Sequence, residues 1–442
     1  MAPPPAQGPI AGRPPILTLA SGFVGDRRQL VVEQTYDPFE AFERAQGAGV
    51  RDPYPEWADL RERGPVQKIE LRKLFGMDTM VDIPDLPDLP ESYLVLGYDE
   101  VAQVLRDGQT FSSACYSASM GIVMGHTILE MDEPEHHRYR GLVQQAFTRK
   151  AMERWETELV APIVNRLVDG FVDKGRADLV PELFFVFPVY VIAALLGLPD
   201  EDLPAFHRLA VQLISVAFNW DRGVAASQQL RDYFAGILEE RRRDPAEDVI
   251  SVLARAELDG VRLTDEEIFA FLRLLLPAGA ETTYRSSSNL LLGLLTHMDQ
   301  LDALRADRAL LPQAIEEGLR WEPPLTGIMR LATRDVELGG VAIPGGSVVS
   351  VSVGVANRDP RRWTDPERFD LFRPPQPHTA FALGPHTCLG MHLARMETTV
   401  ALNILLDRLP GLRLDPEAQD VHVRGVAFRA PAHLPVVFDV PA

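Results

Sequence analysis

From Asp99 onward apolar residues recur at spacings of three and four, the repeat that gathers side chains on one face of an α-helix. The pattern predicts helices over 135–147, 150–173, 201–218, 225–242, 265–298, 299–306 and 311–320, and another from Met391 to Leu409. Strand signals are few. Tyr93 to Gly97 is a short apolar run closed by a glycine. Within 334–353, Val336 and Leu338, then Gly339-Gly340, then Val341 and Ile343 predict a hairpin, with Val348 to Val353 as a further strand. The expected fold class is mainly α with a minor β-sheet region. No internal repeat breaks the pattern, which argues against solenoids and propellers.

Composition sharpens this picture. Pro3, Pro4, Pro5, Pro9, Pro14 and Pro15 fix φ and remove backbone donors, so residues 1–30 are assigned to a flexible N-terminal arm. Pro84, Pro87 and Pro90 mark a loop within the fold. With 46% apolar and 24% charged residues the chain can bury a large core. A net charge of −19 disfavours nucleic-acid binding. Two cysteines, Cys115 and Cys388, cannot build a disulfide framework or a paired-cysteine zinc site, which points to a reducing compartment. A basic cluster followed by an apolar leader is missing, and nowhere do eighteen apolar residues run together. A cytoplasmic location without a membrane anchor is expected.

The chemistry concentrates around Cys388. Phe381-Ala-Leu-Gly-Pro-His-Thr-Cys388-Leu-Gly390 cannot form regular structure and runs directly into the last long helical pattern. Cys388 therefore falls at or just before a helix N-terminus, where free N–H groups and the dipole favour a thiolate. Gly384 and Gly390 leave the backbone open to a flat ligand. An isolated cysteine is more often a small buried hydrophobe, so the surrounding residues decide.

Phe381-x-x-Gly384-x-x-x-Cys388-x-Gly390 resembles the haem-binding signature of the cytochrome P-450 family and matches every fixed position. At this composition such a match arises by chance about once in two thousand sequences. Ala382 stands where many members have glycine. The resemblance covers about Asp37 to Val436 and implies the cytochrome P-450 fold: residues 31–442 as a single large domain around a buried haem. Cys388 would be the axial thiolate of haem b, iron protoporphyrin IX.

Three further constellations follow in the family's order. Pro277-Ala-Gly-Ala-Glu-Thr-Thr283 interrupts a long apolar helix with a proline and a glycine, so the helix should bulge. The family's distal segment resembles it, with Gly279 giving room for dioxygen and Glu281 and Thr282 organising proton delivery. Adjacent helical side chains do not face each other, so water or rotated backbone must join that pair. Glu317 and Arg320, with Arg368 downstream, resemble a structural charge network behind the haem. His136 and Arg140 share a helix face and resemble a propionate clamp, to which Arg330 and His386 would add; His137 is left out as a surface residue.

What the resemblance implies is a haem-thiolate monooxygenase that inserts one oxygen atom from O2 into an apolar or amphipathic small organic substrate. The substrate would lie against Ala278, the loop 113–128 with Met120, Ile122, Val123 and Met124, and Leu325 to Ile328. Electrons would come from NAD(P)H indirectly, through a ferredoxin-type donor and its reductase, docking on a basic patch drawn from Arg138, Arg149, Lys150 and Arg395. Cys115 is expected to pack near the substrate. A peroxide-dependent haem-thiolate enzyme and a non-catalytic haem-binding sensor are the alternatives; the intact Glu281-Thr282 pair favours oxygen activation.

Overall fold

A computed structural model describes residues 50–69, 91–118, 120–217 and 219–440. The proline arm and the loop of Pro84, Pro87 and Pro90 lie outside the described residues, as does the proposed boundary at residue 31.

Helices dominate, as the periodicity predicts. Those that matter for the site are α1 (Glu135–Val143), α2 (Leu203–Ile214), α3 (Trp220–Arg243), α4 (Asp265–Leu275), α5 (Thr282–Leu295), α6 (Leu311–Trp321) and α7 (Met391–Arg408). α4 starts at a capping box. Thr264 Oγ1 accepts from Glu267 N at 3.3 Å and the Glu267 carboxylate accepts from Thr264 N at 2.7 Å. From Ser287 to Leu295 α5 is buried on every face, which makes it the central helix of the molecule. It packs against α6 and α7.

Predicted helices prove to be interrupted in places. The span 150–173 forms Arg149–Trp155, a wide π turn at Glu156–Val160 and Ala161–Asp169, ending at Gly170. Pro162 enters as this second segment begins and has no N–H to continue the ladder. The helix Phe187–Leu195 escapes the periodicity reading because all nine residues are apolar and most are buried. A helix buried all round has no stripe to detect.

The sheet is small. β1 (Val66–Ile69), β2 (Ser92–Val95), β3 (Phe111–Ser112), β4 (Gly327–Ala332) and β5 (Val348–Ser352) lie in the order β1-β2-β5-β4-β3. β5 runs parallel to β2, and the other pairings are antiparallel. Val336–Leu338 and Val341–Ile343 form the predicted hairpin, with Gly339 and Gly340 both at positive φ, 57° and 79°.

Behind α6 lies a buried charge network. Arg320 donates to both oxygens of Glu317 at 2.7 and 2.8 Å. The third member corrects the sequence reading. Arg373, not Arg368, donates to Glu317 Oε1 at 3.2 Å, while the Arg368 side chain is exposed and only its carbonyl accepts from Arg320 and Arg373. A second buried carboxylate, Glu322, accepts from Tyr54 at 2.9 Å and from Arg429 at 2.7 Å.

Candidate active site

Cys388 is placed by the chain on both sides of it. Its N–H donates to Phe381 O at 2.9 Å, closing the loop, and Gly390 immediately precedes α7. The loop is shaped by residues that tolerate left-handed backbone: Gly384 has φ 73°, and a Cβ there would meet Leu105 O at 2.5 Å. Ala382 has φ 56°, so the methyl that replaces glycine here sits in a strained conformation. Burial pushes the Cys388 thiol above its ordinary pKa, while the Gly390 N–H, Arg140 and Arg395 pull it down. The sequence reading expected the helix end to favour the thiolate; desolvation outweighs it in the protein alone, and a bound metal would reverse that balance.

Around this cysteine the fold gathers the predicted clamp. His136 and Arg140 come from α1, Arg330 from β4 and His386 from the cysteine loop. The His136 and His386 rings lie 4.1 Å apart. Ser113 Oγ is 3.1 Å from His386 Nε2. Burial, then the neighbouring His136, Arg330 and Arg140, drive the His386 pKa down to about 3. His136 is lowered chiefly by burial. Both imidazoles are thus neutral near pH 7, and the cluster's charge resides on the arginines. Arg330 is 3% exposed, and among the described residues neither it nor Arg140 meets a carboxylate. His136 Nε2 is buried without a hydrogen-bond partner. A buried cation, Arg330, a half-buried one, Arg140, and an orphaned imidazole nitrogen beside a soft sulfur donor are what a porphyrin with two carboxylates and a thiophilic metal requires. The residues present fit haem.

The bulge expected before Thr282 is real: Leu276–Glu281 forms a wide π turn between α4 and α5. Ala278 is exposed although the helix around it is buried, so it faces open space. Thr282, four residues on, shares that face, and its Oγ1 donates to Ala278 O at 2.7 Å. Gly279 does not share it. A Cβ there would lie 3.1 Å from Ile192 Cδ1, so this glycine permits close approach of helix Phe187–Leu195. Glu281 turns away as well: it is buried, with Oε1 accepting from Arg285 Nη2 at 2.7 Å, beside Phe185 and Tyr284. The structure therefore does not bring Glu281 and Thr282 together directly.

Other expectations divide. Val123 and Met124 are buried in the main core, but Ile122 is 60% exposed. Cys115 is half-buried in the same region, its thiol raised to about 11 by burial. Arg138, Arg149 and Lys150 are exposed, with Arg149 paired to Glu153 at 2.8 Å. Arg395 drops out of the basic patch, because Glu316 accepts from its Nε and Nη2 at 2.7 and 2.8 Å and its guanidinium covers the Phe381 ring at 4.6 Å. Sequence reasoning missed Arg285 and Glu397. Arg285 is four residues from Glu281, a spacing that was a usable signal.

The helical body with its small sheet, the cysteine loop heading α7 and the π turn over an open face define a haem-thiolate monooxygenase, and the chain belongs to the cytochrome P450 family. The sequence profile of that family, "Cytochrome P450", matches residues 207–419. The cytochrome P450 monooxygenase PikC of Streptomyces venezuelae is 38% identical over 379 residues, covering 82% of this chain and 85% of its own. Nocardicin C N-oxygenase of Nocardia uniformis is 36% identical, covering 88% and 96%. Among solved structures, CYP109E1 of Bacillus megaterium in complex with testosterone superposes with a TM-score of 0.78 at 33% identity, over 88% of this chain and 100% of that one. Haem with thiolate ligation goes with this family. Among the described residues, no helix is long and apolar enough to cross a membrane.

Proposed function

We propose that the chain binds haem b through Cys388 and inserts one atom of O2 into an apolar or amphipathic small organic substrate, acting in the cytoplasm. The observation that carries this reading is the group Arg140, Arg330, His136 and His386 around the half-buried Cys388, with the two arginines lacking carboxylates among the described residues. Buried positive charge needs a counter-anion, and two propionates supply it with charge-assisted hydrogen bonds. Phe381, Gly384 and Gly390 shape the loop against the ring. When bound, haem supplies the activation of O2 and the transfer of one oxygen atom.

The chain's own part is positioning and proton control. Ala278 keeps the bulged turn low over the open face, so that substrate approaches without a side chain in its way. Thr282 Oγ1 holds its proton on Ala278 O and must rotate to hand it into the open face. Glu281 holds its charge on Arg285, so a proton reaches it only when that ion pair loosens and water enters. Gly279 fixes where the bulge sits. Electrons from NAD(P)H arrive through a separate ferredoxin-type donor and its reductase, docking near exposed Arg138 and Lys150. The apolar nature of half-buried Ile328 and of exposed Ala278 supports an apolar or amphipathic substrate.

Replacing Thr282 with alanine tests the proton assignment. In Thr282→Ala, NAD(P)H oxidation continues while product per reducing equivalent falls several-fold. Equal coupling in both proteins contradicts the assignment. Product that needs added peroxide and ignores NAD(P)H favours the peroxide-dependent reading.

A further inference from the structure

On α4, above the π turn, stands an arginine that neither the haem clamp nor the proton path uses. Arg273 is 7% exposed. Its Nε donates to Phe269 O at 3.1 Å, and its Nη1 donates to Ser227 Oγ, on α3, at 3.0 Å. Ser227 in turn donates to Val123 O, in the short helix Met120–Met124. Two of the five guanidinium N–H groups are thereby used. Nη2 makes no hydrogen bond among the described residues and lies beside Gly125, where a Cβ would come within 3.2 Å of it.

Charge makes the position unusual. Burial lowers the Arg273 pKa to about 10. The nearby carboxylate Glu266 is engaged by Arg231, whose Nε donates to it at 3.2 Å, and it acts on Arg273 only through space. No carboxylate among the described residues pairs with Arg273. A buried guanidinium without an anion is costly unless something else supplies one.

The helix geometry says where that anion would come from. Arg273 and Pro277 are four apart, as are Leu274 and Ala278, so the two rows run side by side toward Thr282. Ala278 is exposed and Pro277 half-exposed, and Ala278, which Thr282 Oγ1 meets through its carbonyl, belongs to the face read above as opening on the proposed haem site. From Arg273 to Ala278 is about 8 Å of helix rise. The short helix Met120–Met124 and α3 both pack against α4.

We propose that Arg273 is a recognition site for a carboxylate on the substrate, placed at the end of the pocket away from the haem. This rests on the reading of the chain as a monooxygenase. One remaining guanidinium edge matches one monoanion held by two parallel N–H bonds. Substrates would therefore carry their carboxylate at least about 8 Å from the oxidised atom.

Matched acid and ester pairs test this on the haem-loaded enzyme: dodecanoate, 4-phenylbutanoate and 5β-cholanoate, each with its methyl ester. Binding is read by calorimetry and by the ferric spin-state change. The expected result is that at least one acid binds about tenfold or more tightly than its ester. Arg273→Gln then weakens that acid by about tenfold or more, leaves the ester within about threefold, and Arg273→Lys restores part of the preference. The assignment is overturned if no acid is preferred over its ester in the wild-type protein, including the case where none binds. It is equally overturned if Arg273→Gln weakens acid and ester alike, which is the mark of a structural tie between α3 and α4. Where Arg273→Gln fails to fold, the wild-type preference and Arg273→Lys decide. The carbon-monoxide spectrum of the same samples reports separately on the haem reading, so the two can fail independently.

Discussion

Glu397, on α7, is 3% exposed and hydrogen-bonded by the Thr283 side chain, one residue from the proposed proton donor. Burial raises its pKa from 4.5 to about 8. Between those values the folded protein keeps a proton that the unfolded chain has shed. Unfolding free energy therefore falls as pH rises through that window, by up to about 1.4 kcal/mol per unit, and levels off above it. Glu397→Gln keeps a hydrogen-bonding partner for Thr283 and cannot lose a proton. The variant is expected to show a shallower fall in denaturation midpoint between pH 6 and 8; parallel profiles contradict the burial argument. No sequence pattern marks such a residue, because one carboxylate in a helical repeat looks like solvated surface until its neighbours are known. Cys388 was legible for the opposite reason. Its glycines and proline are spaced by a local backbone requirement, and Gly384 bears that out with a positive φ.

Burial on every face hid the helix Phe187–Leu195 but not α5, β2 or β5. α4 and α5 appear in the sequence as one apolar span with a proline inside it, and the structure places the wide turn at that proline, over Leu276–Glu281. Phe187–Leu195 and β4 were missed, since neither an all-apolar helix nor a six-residue strand carrying Arg330 shows a clear period. Long-range pairing was only half visible. Glu317 and Arg320 share a helix and were paired by spacing, but their third partner lies fifty-odd residues on, where two arginines compete. Arg373→Met leaves Glu317 with one cation in a buried site and should cost about 2–4 kcal/mol, whereas Arg368→Met should stay within about 0.5 kcal/mol. Chemical denaturation of the two variants checks the correction; an equal or reversed ranking returns Arg368 to the network.

For the molecule as a whole, the net charge of −19 would repel an acidic electron donor, so the proposed docking would have to depend on local positive charge. Exposed Arg138 and Lys150 remain for that task, with Arg395 taken up by Glu316. Reversing both, as Arg138→Glu with Lys150→Glu, should slow reduction by a ferredoxin several-fold at low ionic strength, with the difference fading at high salt. Unchanged reduction kinetics place the docking surface elsewhere. The expectations for reduction and oxygen insertion presuppose that Cys388 holds the haem iron, and one spectrum tests that most directly. The reduced, carbon-monoxide-treated protein should show the long-wavelength Soret band of thiolate-bound haem, and Cys388→Ala should lose it. Persistence of that band in Cys388→Ala would contradict the assignment on which the site is built.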